Sequence, residues 1–243
     1  MSRETDADFE LLKRFLDNYS LSGLGQSKDK LSLIKASHKS YLPLLQLWSI
    51  CADKASKGSF LFFGQEINNA SQELLHLREA VSDIGSGLFC CLHGAYKPGH
   101  MALRSSIENF LRFAATPFDN RALTTTSIYD LFDLSRNTVP FADSRKRHID
   151  QLRSDYVKLC KYTHSASLAH MAGVHALAHF PSFNQAAFQE WLSLAKTCMS
   201  AIGAVIAVGN PSTYLDAHFS AKELLELLIP QQERLILLRG EAV

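Results

Sequence analysis

"LLHLREAVSDIGSGLFCCLHGAYKPGHMALRSSIENFLRFA", residues 74–114, decides how this chain folds. Its first half spaces Leu74, Leu77, Val81, Ile84, Leu88 and Cys91 by 3, 4, 3, 4 and 3 residues. That spacing keeps a single apolar seam on one face of an α-helix. Lys97-Pro98-Gly99 then reads as a turn, after which Leu103, Ile107, Phe110, Leu111 and Ala114 form the core face of a second helix. So short a connection makes the two helices antiparallel neighbours.

The same rhythm returns twice. Ile149, Leu152, Tyr156, Leu159 and Thr163 carry it, and so do Phe188, Leu192, Ala195, Met199, Ile202 and Ile206. No run alternates as strands do. The expected fold is therefore all-α, an up-and-down bundle of four main helices between about residues 70 and 208, with extra helices at both ends. At the N-terminal side, Thr5 to Asp8 can cap a helix with Phe9, Leu12, Leu16 and Tyr19 on its apolar side. A second helical region spans Leu31 to Ala55, interrupted or started afresh near Pro43. "SKGSFLFFGQ" (56–65) suits either a short buried strand or an aromatic loop on the bundle, and Ser127 can cap a short helix. The S-x-x-E box from Ser220 to Glu223 starts a last helix that Pro230 ends. Residues 1–65 are expected to be a helical extension packing on the bundle, which occupies 66–243 with its C-terminal helix.

Composition narrows the function classes. Of 243 residues, 25 are Lys or Arg and 24 are Asp or Glu, a formal charge of +1 that argues against broad coating of nucleic acid. The 5 cysteines form no C-x-x-C pair, as expected of reduced thiols in a cytoplasmic protein. "MSRETDADFE" has no apolar signal-peptide core, and the apolar run "CMSAIGAVIAVG" (198–209) is shorter than the ~20 residues of a membrane span, so it reads as a buried helix and no membrane partner is expected. Phosphate-loop, dinucleotide and nucleophile-elbow motifs are missing from the sequence, and no cofactor is expected.

A few polar residues fall where core is expected. With Leu103 at 0° and 100° per residue, the apolar positions span about −20° to 80°, while His100 lands near 60°, Arg104 near 100° and Glu108 near 140°. An arginine bordering a packed face needs a partner, and Glu108, one turn on, supplies it. Such a set can be a structural pair tying two helices together, or a site for an anion such as phosphate, with the glutamate orienting the arginine. On the later helix Cys160 and His164 lie at the boundary of the Tyr156 seam. His170, His175 and His179 follow in "HSASLAHMAGVHALAH". His175 and His179 could share an ion, but "HALAH" lacks the glutamate of H-E-x-x-H, and no metal site is assigned. The concentrated basic stretch is "DSRKRHIDQLR" (143–153); Arg145, Lys146 and Arg147 in a first helical turn oppose the macrodipole, a hint that they meet RNA. A solvated charged face is the other reading. His100 joins these three as a candidate RNA contact.

"GAYKPGHMALRSSIENFLR" (94–112) followed by "YVKLCKYTHS" (156–165) resembles the bacterial helical families of the HEPN superfamily. Those read roughly as a helix rich in small residues, A-x-x-L-R-x-x-x-E, then Y-x-x-L-S-x-x-x-H. The likeness covers about residues 70–208. It implies a four-helix bundle, often a homodimer. In active members the arginine and histidine of R-x4–6-H form a metal-independent ribonuclease site at the dimer interface, in phage-defence or toxin–antitoxin systems. Here no histidine has an arginine five to seven residues before it. The implied catalytic group is then Arg104 held by Glu108, with His164 and Tyr156 meeting it from another helix. The alternative is a non-catalytic scaffold or sensor subunit that binds a protein partner.

Overall fold

The computed structural model describes residues 5–7, 9, 10, 13, 22–164, 167, 171 and 183–240. The chain is an all-α bundle whose main helices are α1 (Lys28–Ser56), α2 (Gln72–Leu92), α3 (Tyr96–Ala115), α4 (Ile128–Arg136), α5 (Lys146–Thr163), α6 (Gln185–Gly209), α7 (Phe219–Leu228) and α8 (Gln231–Arg239). Helices α2, α3, α5 and α6 run up, down, up and down. α6 is central: α1, α2, α3, α5, α7 and α8 all pack on it. The seam residues expected on these four helices are buried, from Leu74 through Ile206, except that Thr163 at the end of α5 is half-buried. Burying such seams against one another is what stabilises each helix, since an isolated helix is marginal in water.

The turn between α2 and α3 comes earlier than Lys97-Pro98-Gly99. Helix α2 ends at Leu92 with His93 as its cap, Gly94 takes φ +78°, and α3 already begins at Tyr96. Pro98 sits in the first helical turn, where a missing N–H costs nothing. Gly99 is there because the two helices cross closely: a Cβ on it would collide with Cys91 Sγ and lie 3.1 Å from the Gly87 carbonyl oxygen. Trp191 of α6 closes the crossing, its Nε1 donating to the Gly99 carbonyl oxygen at 3.0 Å.

The structure resolves three local expectations. Helix α1 runs unbroken through Pro43, which is buried in its interior, so the interruption expected there is absent. The helix that carries Ser220 does stop before Pro230, at Leu228, but it is not the last, since Pro230 caps the start of α8. Helix α7 is capped by the His218 side chain, which accepts from Ser220 N–H, with Ser220 inside the helix. Stretch 56–65 holds a minimal hairpin, β1 (Leu61–Phe62) against β2 (Gln65–Glu66). Its two turn residues, Phe63 and Gly64, have φ +47° and +80°, the left-handed pair of a tight hairpin. Phe60 and Phe62 are buried, and Phe63 N–H donates to the Gly209 carbonyl oxygen at 2.7 Å, tying the hairpin to the end of α6. Leu12, Leu16 and Tyr19 of the proposed first helix lie outside the described residues.

Helix α6 is long and apolar enough to cross a membrane by length and composition, and most of it is buried as the core helix of the bundle. Helix α1 contributes Ile34, Leu44, Leu47 and Cys51 to the same apolar core as the four main helices.

Candidate functional site

Helix α3 presents Arg104, Glu108 and Arg112 at four-residue steps along the side that faces α5. Across from them, the seam of α5 buries Tyr156 to 1% exposure, so its ring packs in the core while its hydroxyl reaches the margin. Arg104 Nε donates to that hydroxyl at 2.6 Å, and the hydroxyl donates to Glu108 Oε1 at 2.7 Å. Arg104 Nε and Glu108 Oε1 are 3.3 Å apart, closing a triangle. The guanidinium also lies over the Tyr156 ring, 5.1 Å from its centroid. Arg112 joins below, 4.0 Å from Glu108 Oε2 and donating to the Thr125 carbonyl oxygen at 3.2 Å. One carboxylate thus sits between two guanidiniums, leaving the cluster a net positive charge.

The electrostatics follow from that packing. Burial, then the hydrogen bond to Glu108, pushes the Tyr156 hydroxyl pKa well above its ordinary value of 10.0, so it stays protonated and keeps donating. Burial works to lower the pKa of Arg104, but the contacts with Tyr156 and Glu108 outweigh it and the guanidinium is held charged. Burial raises the neighbouring Cys160 thiol, partly offset by Arg104. The side chains of Arg104 and Glu108 remain 28% and 27% exposed. Among the described residues, Arg104 spends only Nε on hydrogen bonds, so both terminal nitrogens are open at the surface.

Sequence reasoning brought Arg104, Glu108 and Tyr156 together, and they do meet. His164 does not join them. It is the residue that ends α5, exposed, eight residues beyond Tyr156 and so roughly 12 Å farther along the axis. Among the described residues no hydrogen bond or ion pair links its ring to the cluster. His100 is buried in the bundle; its Nδ1 donates to the Tyr96 carbonyl oxygen at 2.7 Å, and its ring stacks on Tyr162 at 3.8 Å. A carbonyl can only accept, so Nδ1 carries the proton.

The basic stretch divides. Arg145 precedes the first turn of α5 and is buried, donating to the carbonyl oxygens of Pro140 and Val139 and lying 5.0 Å from the Phe63 ring centroid. Burial lowers its pKa. Lys146 is exposed. Arg147 pairs with Gln232 and with the buried carboxylate of Glu233, to which His148 Nε2 is also bound at 2.8 Å. That pairing fastens α8 to α5.

A second polar chain on α3 escaped the sequence reading. Asn109 Nδ2 donates to Asp83 Oδ2 of α2 at 3.0 Å, and its Oδ1 is 3.0 Å from His76 Nδ1. Burial raises the Asp83 carboxyl, and Ser105 and Asn109 partly compensate. The signal was available in the seven-residue step from His76 to Asp83 and the four-residue step from Ser105 to Asn109. Among the described residues, no three His, Cys, Asp or Glu side chains gather as they would around a metal. His170, His175 and His179 lie outside those residues. No protein family, curated protein or solved structure matches the chain.

Proposed function

We propose that the chain is a HEPN-like helical effector of a bacterial anti-phage or toxin–antitoxin system that engages RNA through Arg104. The observation that carries this reading is the state of that arginine. Its Nε is fixed by Tyr156 and Glu108, while its two terminal nitrogens stay open at a half-exposed surface. A guanidinium held in one orientation loses little freedom on taking up a phosphate, and its fork matches two phosphate oxygens. Arg112 adds a second positive charge one turn away.

In a cleavage reaction Arg104 stabilises charge on the phosphorane, and a histidine moves the proton of the ribose 2′-hydroxyl. His164 is the candidate, and its separation from Arg104 within one chain means that a second copy must bring it there, as in a homodimer. The competing reading, a non-catalytic scaffold or sensor subunit that binds a protein partner, draws support from the missing linear R-x4–6-H and from the closed triangle of Arg104, Tyr156 and Glu108.

RNA integrity after induction separates these readings, using wild type beside Arg104→Gln and His164→Ala, each shown to be folded. The ribonuclease form expects RNA cleavage with wild type alone. Gel-shift binding of single-stranded RNA that Arg104→Gln abolishes, with RNA intact in every case, leaves RNA recognition without cleavage. The absence of both cleavage and binding by purified wild type would refute the RNA-directed reading.

A further inference from the structure

Helix α6 turns one strip away from the core, where Lys196 is exposed and Thr197 and Ser200 are half-exposed between buried neighbours. This strip is the floor of a groove. Its wall on one side is α1, with Ala36, Lys39 and Ser40, and Leu227 and Leu228 of α7 border it, around an open hollow of about 400 Å³. On the other side, His148 and Gln151 of α5 line a second hollow of about 330 Å³ that shares Lys196 and Ser200 with the first. The groove stops where α7 lies directly on α6: a Cβ on Gly203 would come within 2.6 Å of Leu228 Cγ.

Among the described residues, no carboxylate lines either hollow. Among the described residues, neither Lys39 nor Lys196 has an ion-pair partner, and the Ser200 hydroxyl makes no hydrogen bond. Ser40 is different, since its Oγ donates back to the Ala36 carbonyl oxygen at 2.9 Å. Two lysines from facing helices thus line one hollow with no counter-charge in its described lining, and an anion entering it would gain from both. Lysine suits phosphate as a point charge, and a free hydroxyl adds a neutral donor. The remaining lining, Ala36, Met199, Leu227 and Leu228, is apolar and offers a surface to a non-polar substituent.

We propose that this groove binds a small soluble phosphate ester, with Lys39, Lys196 and Ser200 on the phosphate and the apolar wall under the rest of the molecule. A hollow of about 400 Å³ lies within the range of ~300–1,000 Å³ usual for small-molecule sites. The end closed by Leu228 suits a compact ligand rather than a strand that must pass through. The site is independent of Arg104, since none of its lining comes from α3.

Calorimetric titration of the full chain with phenyl phosphate, and separately with inorganic phosphate, tests this at low salt. Expected are saturable one-to-one binding of phenyl phosphate, weaker binding of inorganic phosphate, and a loss of about tenfold in affinity for Lys196→Gln and for Lys39→Gln. Lys161→Gln, on the exposed side of α5 outside the groove, should bind as wild type does. No saturable binding in the millimolar range would overturn the proposal. So would equal affinity in wild type and Lys196→Gln, or sedimentation with phosphatidic acid vesicles by a protein that ignores phenyl phosphate.

Discussion

Replacing Tyr156 by Phe removes a single oxygen and leaves everything else in place. The ring stays buried against Phe132, 5.6 Å away at 73°, and beneath the Arg104 guanidinium. What disappears is one bond accepted from a cation at 2.6 Å and one donated to a carboxylate at 2.7 Å. Hydrogen bonds to charged partners contribute about 1.5–3 kcal/mol each. The two do not simply add here. Arg104 and Glu108 are already 3.3 Å apart and over a quarter exposed, so they can pair directly and regain water. A net loss of about 2 kcal/mol is expected, near the lower end for a single such bond. For a chain of this size that corresponds to a fall of roughly 4–8 °C in Tm. Urea unfolding gives the free energy, and a cycle with Glu108→Gln should return a coupling of about 1 kcal/mol, as expected for neighbours in one network. A loss below about 0.5 kcal/mol with no coupling would mean that water replaces the hydroxyl without cost, and that Tyr156 does not hold Arg104.

Three further perturbations probe the fold around the site. Gly99→Ala gains up to about 1 kcal/mol in helix propensity, against about 1–3 kcal/mol for overpacking on Cys91 Sγ and the Gly87 carbonyl. A net loss of about 1–2 kcal/mol is expected; thermal melts that rise or stay level would show that α2 and α3 separate freely, and Cys91→Ala should restore part of the loss. Trp191→Phe leaves the Gly99 carbonyl without its 3.0 Å donor inside the core and should cost about 2–3 kcal/mol by chemical denaturation, with an unchanged midpoint as the contrary result. Glu233 is buried, which alone would raise its carboxyl, but the bonds from His148 and Arg147 prevail and hold it below its ordinary 4.5. A depressed carboxylate stabilises the fold fully above that ordinary value and ceases to as the pH falls through the lower folded one. Wild type should therefore lose urea resistance steeply below about pH 4.5, and Glu233→Gln should start lower and change less; parallel curves would show that the latch between α5 and α8 is not electrostatic.

The sequence by itself determined the class of fold and the faces of its helices. Residues three and four apart share a face whatever lies opposite, so Leu74 to Cys91, Leu103 to Ala114 and Phe188 to Ile206 read directly as core. Arg104 and Glu108 were legible for the same reason. Only the tertiary structure decided what stands across from each face. It put the Tyr156 hydroxyl between Arg104 and Glu108 and turned Arg145 inward onto Pro140 and Phe63. It also ended α5 at His164, where a helical wheel drawn through the residue no longer applies. The boundaries of α3 and the survival of α1 through Pro43 belonged to it as well. Proline is tolerated in a first helical turn, and the packed core holds α1 helical despite one lost hydrogen bond, so neither position announces a break. The groove of Lys39 and Lys196 joins helices more than 100 residues apart, and no local period reports so distant a pairing.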